Sequence, residues 1–293
     1  MFTFEIPEPP YDRYSNRQLA AVPLAVLAVA LLIIGLTWVV TGSPAMLGIE
    51  FTGGSELTIE TESDRVEIEE AFGAELDSIQ QVVGEDNQFI LRFDSTDIDS
   101  LRETANTELT PVGGADDVVE GERVVSPAFA DEQQQLAILA IAIAFIGMSL
   151  LAFVLFRTFI PSIAIVVSAF SDIMIPLAAM NILDIPLTFG TVAALLMLIG
   201  YSVDSDILLN NHILRRSGGF YESTYRAMET GVTMTVTSMA AMFAMFVVAT
   251  IFGIEILSAI GLILFIGLAA DLMNTYLLNL RMLRWYKFRG VSR

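Results

Sequence analysis

Cysteine is absent from this chain of 293 residues, and histidine and lysine each occur once, as His212 and Lys287. Without thiols the chain forms no disulfide and no thiolate metal site, and the absence leaves the redox compartment open. Charged residues make up only 17% of the chain, whereas soluble domains carry about 25%. In their place 54% of the residues are hydrophobic. This composition is typical of a membrane protein.

The apolar residues are clustered in six segments of about 20 residues, the length that crosses the ~30 Å hydrocarbon core of a bilayer. The segments are 19–40, 136–156, 160–180, 187–209, 231–252 and 256–280. No small-residue cleavage site follows the first of them, so we expect it to be a retained helix and not a signal peptide. The sequence therefore predicts an α-helical polytopic membrane protein with six transmembrane helices.

The acidic residues are unevenly distributed. Region 41–133 holds 23 acidic residues and four arginines, which accounts for the whole net charge of −19. A dense carboxylate surface is favoured in concentrated salt, where ions screen the repulsion between the charges. We interpret the composition as that of a halophile, and an acidic patch for a basic partner is the alternative.

The basic residues predict the orientation. All eleven arginines and lysines outside region 41–133 fall on one side of an even six-helix arrangement. The positive-inside rule places that side in the cytoplasm. We therefore expect a cytoplasmic N-terminus (1–18), transmembrane helix 1 (19–40), helices 2–6 within 134–280 and a basic cytoplasmic C-terminus (281–293) in a multi-pass protein of the cell membrane, with region 41–133 outside.

Region 41–133 has the pattern of a small α+β domain. Its apolar spacing predicts strand 49–61 with a bend at Gly53-Gly54, helix 63–74, strands 78–83 and 88–93, helix 95–109 and strand 118–125. The order β-α-β-β-α-β is that of the ferredoxin-like unit. With no histidine, cysteine or phosphate-binding loop, it is interpreted as a docking or substrate-contacting module. The paired glycines favour a backbone bend, with a binding hinge as the alternative.

Four aspartates lie inside the apolar spans, where a carboxylate costs about 2.5–3.5 kcal/mol on insertion scales and is rarely present without a function. They are Asp172 in the third span, Asp204 and Asp206 in the fourth and Asp271 in the sixth. The rise per residue places Asp204 and Asp271 in one layer of the inner half of the membrane, with Asp172 nearer its middle. We predict that these four are ion-coupling candidates. Snorkelling and plain helix–helix hydrogen bonding are the structural alternatives.

Asp204 and Asp206 are two residues apart and therefore point about 200° apart on a helix. The two helix lines that contain them are Gly200, Asp204, Leu208 and Ser202, Asp206, Asn210. We expect one of the two carboxylates to face the bundle or a water-filled crevice, and the other to pair near the cytoplasmic mouth with Arg215 or Arg216.

The fifth span carries Thr230, Thr233 and Thr237 at helical spacing. Small residues of this kind allow close helix contact, which is the favoured interpretation, and they also line hydrated paths. His212 is expected in the inner loop as a solvated residue.

Two segments resemble a known family. The stretch GIEFTGGSEL at 48–57 resembles the G-I-D-F-T-G-G signature of the SecD/SecF protein-export subunits, and IGYSVDSDILL at 199–209, followed by two arginines, resembles their fourth-helix motif. The matching residues are Gly48, Phe51, Gly53, Gly54, Gly200 and Tyr201. Six spans with a large loop after the first also fit, so the resemblance covers nearly the whole chain. The small size of that loop resembles the shorter kind of subunit in the family.

The resemblance implies a place in the resistance-nodulation-division superfamily of proton-driven transporters. It implies an accessory subunit of the Sec translocase that acts with a SecD-like subunit beside a SecY-type translocon. Such a subunit uses the cation gradient to promote the export of polypeptides, without a cofactor, metal or nucleic acid.

The family's fourth-helix acid corresponds to Asp204, and its third-helix aspartate corresponds to Asp172. The resemblance therefore implies that Asp204 is the functional carboxylate of the fourth span, facing the bundle, and that Asp206 is the mouth or pairing residue. Bacterial members carry Asn-Asp-Thr where this chain has Asp-Ser-Asp. They also carry a fifth-helix arginine where this chain has Thr233, and Asp271 has no obvious bacterial counterpart. These departures place the bacterial proton relay in doubt for this chain.

Two other functions are left open. A stand-alone ion- or proton-coupled small-solute transporter would need a dimer, since six spans form half of a pseudo-symmetric bundle. An intramembrane aspartyl protease would need facing carboxylates, for which Asp204 and Asp271 are the available pair, but the glycine-x-glycine-aspartate context of such proteases is missing. We therefore predict a non-enzymatic translocation subunit. The choice of H⁺ or Na⁺ as coupling ion does not follow from the sequence.

Overall fold

The structure is a computed structural model that describes residues 16–82, 87–215 and 219–290. Its main elements in chain order are α1 Asn16–Thr41, α2 Ile49–Thr52, β1 Gly54–Glu60, α3 Arg65–Phe72, β2 Leu76–Gln81, β3 Gln88–Phe93, α4 Ile98–Glu108, β4 Val119–Val125, α5 Pro127–Phe156, α6 Phe159–Ile182, α7 Phe189–Arg215, α8 Phe220–Ile251, α9 Glu255–Met273, a π-helical segment Asn274–Asn279, α10 Leu280–Trp285 and a second π-helical segment Tyr286–Gly290.

Within the described residues, six helical runs are long and apolar enough to cross a membrane: α1, α5, α6, α7, α8 and the run from α9 to Phe288. The predicted six-helix membrane protein is therefore confirmed. In α6 and α7, 56% of the most apolar 18-residue stretch is buried inside the protein, whereas the value is 11% in α5 and α8. Helices α6 and α7 are therefore the inner helices of the bundle. Their contact with α9 is centred on the fully buried Ile165, Leu198 and Leu264. Gly267 faces Leu198 so closely that a methyl group there would collide with it.

The α+β domain, residues 54–125, is an antiparallel sheet in the order β2-β3-β1-β4. Leu57 and Ile59 of β1 and Leu91 of β3 point to one face, where Ile68 of α3 and Leu101 of α4 cover them. Because successive strand residues face opposite sides, the intervening positions form the other, polar face. The predicted ferredoxin-like order is confirmed.

One predicted element of this region is wrong. Residues 49–52 form the single-turn helix α2, not the first half of a strand, and β1 begins only at Gly54. Gly53 and Gly54 have φ of +80° and +104°, a left-handed region that glycine tolerates best. The paired glycines are therefore the backbone bend between α2 and β1. The predicted Gly-Glu-Asp-Asn turn after β2 lies outside the described residues except for Asn87.

Helix α3 begins where its capping sequence predicts. The Asp64 carboxylate accepts from the backbone N–H of Glu67 at 2.9 Å, and the Glu67 side chain accepts from the Asp64 N–H at 3.1 Å. This reciprocal capping box satisfies two backbone donors that the first helical turn leaves free.

Candidate functional site

Three of the four candidate aspartates meet between α6, α7 and the end of α9. Asp172 and Asp206 are fully buried, and Asp271 is 1% exposed. Together with the side chains that bind them, these carboxylates form what we call the polar core. Its other members are Ser202, Ser205, Asn274, Thr275 and Asn279.

Asp172 is held from two helices. Ser202 Oγ of α7 donates to Asp172 Oδ2 at 2.6 Å, and Asn274 Nδ2 donates to Asp172 Oδ1 at 2.6 Å. Both oxygens of this α6 carboxylate therefore have neutral donors, which is the minimum that a buried polar group needs. The contact also ties α6 to α7 and to the π-helical segment.

Asp271 and Asp206 both contact the hydroxyl group of Thr275. Ser205 Oγ of α7 lies 2.9 Å from both oxygens of Asp271. Thr275 Oγ1 lies 3.0 Å from Asp206 Oδ1 and 3.3 Å from Asp271 Oδ1. Asn279 Nδ2 donates to Asp206 Oδ1 at 2.7 Å. A continuous chain of polar contacts therefore joins these two carboxylates.

The π-helical segment allows one helix to serve two carboxylates. Asn274 binds Asp172 and Asn279, five residues later, binds Asp206. In a regular α-helix, positions five apart point about 140° apart, because each residue turns about 100°. The wider π-helical turn brings both amides to the same side. Local π-helical turns inside α-helices are frequent at functional sites.

Among the described residues, no basic side chain forms an ion pair with the polar core. The ion pairs among the described residues are in the α+β domain, at its junction with the bundle, or between Glu222 and Arg226 of α8. In the described part of the chain, no group of three His, Cys, Asp or Glu side chains has the spacing to hold a metal ion. The hydrogen bonds to these carboxylates come from neutral hydroxyl and amide groups.

The fourth-helix pair is oriented opposite to the prediction. Asp204 and Asp206 do point in different directions, as predicted. However, Asp204 is exposed on the outside of the bundle and Asp206 is buried within it. Asp206 binds Thr275 and Asn279, while Arg216 and the side chain of its other expected partner, Arg215, lie outside the described residues. The reason is that Ser202, Asp206 and Asn210 meet polar residues of α6 and of the π-helical segment, which the sequence of α7 alone does not reveal.

The predicted packing of the α8 threonines is not found within this chain. Thr230, Thr233 and Thr237 are exposed. Thr233 Oγ1 donates to Glu229 O and Thr237 Oγ1 to Thr233 O, each at 2.7 Å, so these hydroxyls are satisfied on their own helix. The three side chains lie on an outer face of the bundle.

The predicted position of His212 is also wrong. Helix α7 continues to Arg215, so His212 is helical and only 6% exposed, not a solvated loop residue. Its Nδ1 lies 2.8 Å from Leu208 O.

The first family motif is the junction of the bundle with the α+β domain. The Gly48 N–H donates to Leu187 O at 2.8 Å, and Leu187 N–H donates to Met46 O at 2.6 Å, which joins the chain before α2 to the entry of α7. Phe51 is 3% exposed and packs edge-to-face on Phe189, with ring centroids 5.3 Å apart.

The glycines of the motif are sterically required. A Cβ at Gly53 would contact the Pro127 backbone, and one at Gly54 would collide with Phe93 O. In the second motif, Gly200 is exposed with open space around it, and Tyr201 is half-buried at the edge of the bundle core.

The hydrogen-bond partners of the carboxylates were not predicted from the sequence. Asn274, Thr275 and Asn279 lie within the apolar sixth span, where they were not singled out. Asp271, Asn274 and Thr275 nevertheless follow the helical spacing of three and four residues. That polar stripe is the signal that would have identified them.

The six spans, the inserted ferredoxin-like domain and the buried carboxylates define a class: polytopic membrane proteins with polar residues inside a helical bundle. Residues 105–289 match the family described as "Protein export membrane protein SecD/SecF, C-terminal". Proteins named "Protein-export membrane protein SecF" are 58% identical in Haloferax volcanii and 57% identical in Haloquadratum walsbyi, with 100% of both chains covered in each case.

The fold has a solved counterpart. A crystal structure of SecDF, a translocon-associated membrane protein from Thermus thermophilus, matches with a TM-score of 0.74 and 21% identity, over 98% of this chain and 40% of that chain. This chain therefore spans less than half the length of the SecDF chain. The chain belongs to the SecD/SecF family of protein-export membrane proteins, in its haloarchaeal SecF branch.

Proposed function

We propose that this protein is an accessory subunit of the Sec translocase that acts with a SecD-like subunit to promote polypeptide export, driven by the cation gradient. The observation that carries the proposal is the full-length similarity to two haloarchaeal proteins named as export membrane proteins. A stand-alone solute transporter is not favoured, because these relatives match from end to end.

Exposed polar residues on α7 and α8 support the need for a partner on this outer side of the two helices. Asp204 and Gly200 of α7 and Thr233 and Thr237 of α8 are exposed within runs that are long and apolar enough to cross a membrane. A carboxylate facing hydrocarbon is costly, whereas a neighbouring helix satisfies it. Since this chain matches 40% of the SecDF chain, a second subunit would supply what is missing. A SecD-like subunit seated on this face fits both observations.

The polar core is the proposed coupling site. Asp172, Asp206 and Asp271 lie between helical segments that would move together when the charge of the core changes, because each carboxylate bonds to a segment other than its own. A carboxylate that cycles between a neutralised and a free state needs this kind of burial.

The orientation is part of the proposal. Both termini would be cytoplasmic and residues 41–133 would lie outside, beside a SecY-type translocon and the emerging polypeptide. The one-sided distribution of basic residues supports this. The junction at Gly48 and Leu187 gives a direct route from α7 to the α+β domain.

In-cell photocrosslinking to a stalled export substrate tests the function. A crosslinker at Val124, which is 45% exposed on β4, should capture the substrate, and the yield should change when the ion gradient is collapsed. The control position is Phe288, which is 58% exposed and lies at the C-terminal end of the last membrane-spanning run. Capture from Phe288 alone would refute the orientation, and no capture from Val124 would refute contact with substrate.

A further inference from the structure

Two helices of the bundle are longer than a membrane crossing requires. Helix α8 has 32 residues and the run from α9 to Phe288 has 34, whereas about 20 residues cross the hydrocarbon core. The turn that joins them is apolar, with Ile251, Phe252 and Ile254 exposed by 69%, 72% and 50%. Such side chains are stable in lipid and not in water, so this turn does not project far from the bilayer. The additional residues therefore lie at the other ends of the two helices, away from the α+β domain.

The sequence changes character at the same depth. Residues 231–252 of α8 contain no charged side chain, whereas residues 220–230 contain three. Likewise, residues 272–280 are uncharged and residues 281–288 contain Arg281, Arg284 and Lys287. The charged segments 220–230 and 281–288 are thus the parts of the two helices that extend past the hydrocarbon core.

Aromatic and basic side chains of these two segments pack together. The Phe220 ring centroid lies 5.3 Å from that of Tyr221 and 5.5 Å from that of Phe288. Lys287 Nζ lies 5.9 Å from the Phe220 centroid, and Arg284 Cζ lies 5.9 Å from the Tyr221 centroid, within the range of a cation–π contact. The first turn of α8 and the end of the C-terminal run therefore form one surface, which we call the basic-aromatic surface.

This surface is open and positively charged. Trp285 and Phe288 are 43% and 58% exposed beside the basic groups. The two charged segments hold four basic side chains and two acidic ones. Of the acidic pair, Glu222 forms an ion pair with Arg226 on its own helix, and Glu229 is exposed one turn further along α8. The balance is opposite in sign to that of the acidic α+β domain.

Anionic lipid headgroups match both properties of the surface. Tryptophan rings are enriched at the headgroup level, and basic residues near a membrane attract anionic lipids. A guanidinium group binds phosphate through paired, charge-assisted hydrogen bonds. A soluble polyanion fits the charges alone, whereas a lipid also covers the exposed rings with its acyl chains.

We propose that the basic-aromatic surface binds the phosphate headgroups of anionic lipids in the leaflet that it faces. The binding is a property of this end of the bundle. It depends neither on the export function nor on which side of the membrane this end lies.

The two tryptophans of the chain make a selective test. Trp38 lies in α1 near the α+β domain and is 59% exposed. The full-length Trp38→Phe variant reports on Trp285 alone, and Trp285→Phe reports on Trp38 alone. Each is reconstituted in vesicles that mix brominated phosphatidylglycerol with unbrominated phosphatidylcholine, or the reverse, at the lowest salt that keeps the protein folded. Bromine on the acyl chains quenches a tryptophan that touches the lipid.

We expect both lipids to quench Trp285, with a binding constant about fivefold higher for the anionic lipid, equivalent to about 1 kcal/mol. Trp38 should be quenched without a preference. In about 1 M KCl, where the Debye length is about 3 Å, the preference at Trp285 should fall towards one while the quenching itself persists.

A double variant and a matched control locate the binding. Arg284→Gln with Lys287→Gln, in the Trp38→Phe chain, should reduce the preference from about fivefold to about one. Glutamine at position 287 retains a donor for Ile213 O, which Lys287 Nζ contacts at 3.3 Å. Arg157→Gln removes an exposed positive charge at the same end of the bundle, between α5 and α6, and should keep the preference.

Equal binding constants at Trp285 for the two lipids would overturn the proposal. The same anionic preference at Trp38 would overturn it too, because it would reflect a general attraction to the protein. Quenching of Trp285 by aqueous iodide and by neither brominated lipid would place the surface in water and favour a soluble partner. Loss of the preference in Arg157→Gln would contradict the location. If the double variant does not fold, Arg284→Gln alone decides.

Discussion

The α+β domain and the membrane bundle carry carboxylates under opposite conditions. In the α+β domain they lie at or near the surface, and several pair with arginines, as Glu56 does with Arg92 at 3.0 Å and Asp117 with Arg102 at 2.6 Å. In the bundle, Asp172, Asp206 and Asp271 are buried and bond to hydroxyls and amides. Carboxylates of the first region are thus partly paired with fixed positive charges, whereas those of the second are held by neutral donors.

The largest effect is expected from the bundle. Asp172→Asn and Asp206→Asn should leave the protein inserted, since asparagine preserves shape, but should lower gradient-dependent export by at least about 100-fold, the consequence of losing an interaction of nearly 3 kcal/mol. Export of a reporter, measured at equal protein level, checks this. Wild-type export by both variants would place coupling elsewhere.

Gly54→Ala should be the most damaging change at the edge of the α+β domain. A methyl group there collides with Phe93 O, at a φ of +104°. We expect a loss of about 2–3 kcal/mol in the stability of this domain, measured by denaturant unfolding followed by limited proteolysis. Gly121→Ala is the control, because its added methyl meets Thr58 at an ordinary 3.6 Å. Equal destabilisation by both would contradict the steric account.

Asp204→Asn should act on association and not on the polar core. The side chain is exposed beside the face that we assign to a SecD-like subunit. We expect the subunit affinity to fall about fivefold, or about 1 kcal/mol, as measured by copurification at graded detergent and salt. If the complex is unchanged but export is reduced, Asp204 acts in coupling and not in association.

The smallest effect is expected at the surface ion pair of the α+β domain. The hydrogen bond from Arg102, followed by that from the Val119 N–H, lowers the pKa of Asp117 to about 2. A carboxyl with a depressed pKa stabilises the fold above its unfolded pKa, and this stabilisation is lost as the pH falls from about 4 to about 2. Arg102→Gln should flatten the pH dependence of unfolding in that window.

Salt should remove most of the difference between Arg102→Gln and the wild type in the pH dependence of unfolding. In concentrated salt the Debye length is about 3 Å or less, so an exposed pair is largely screened. The test therefore compares acid unfolding at the lowest salt that keeps the protein folded with unfolding at high salt. A pH dependence of Arg102→Gln that matches the wild type at low salt would mean that the pair contributes nothing.

The elements that the sequence predicted are those with a long repeat of apolar residues. Six spans and the β-α-β-β-α-β order follow from such repeats, and Leu57, Ile59 and Leu91 occupy the buried face that alternation predicts. Helix α2 was missed because four residues are too few to show a period. Helix α7 was taken to end before His212 because its last turns are polar.

The candidate site was predicted in composition but not in geometry. The four aspartates were identified by their burial cost, yet which side of α7 faces inward depends on Asn274, Thr275 and Asn279 of another helix. Both lines of α7 carry small and polar residues, so the periodicity of that helix alone does not distinguish them. The π-helical segment that brings Asn274 and Asn279 to one side is likewise not visible in a pattern of single residues.

The pairing of Gly54 with Val125, at the start of β1 and the end of β4, has a consequence for how this architecture varies. Gly53 likewise lies next to Pro127, the first residue of α5. The α+β domain therefore begins and ends at adjacent points between α2 and α5. Residues can be added to or removed from the segment between these points without moving the points apart.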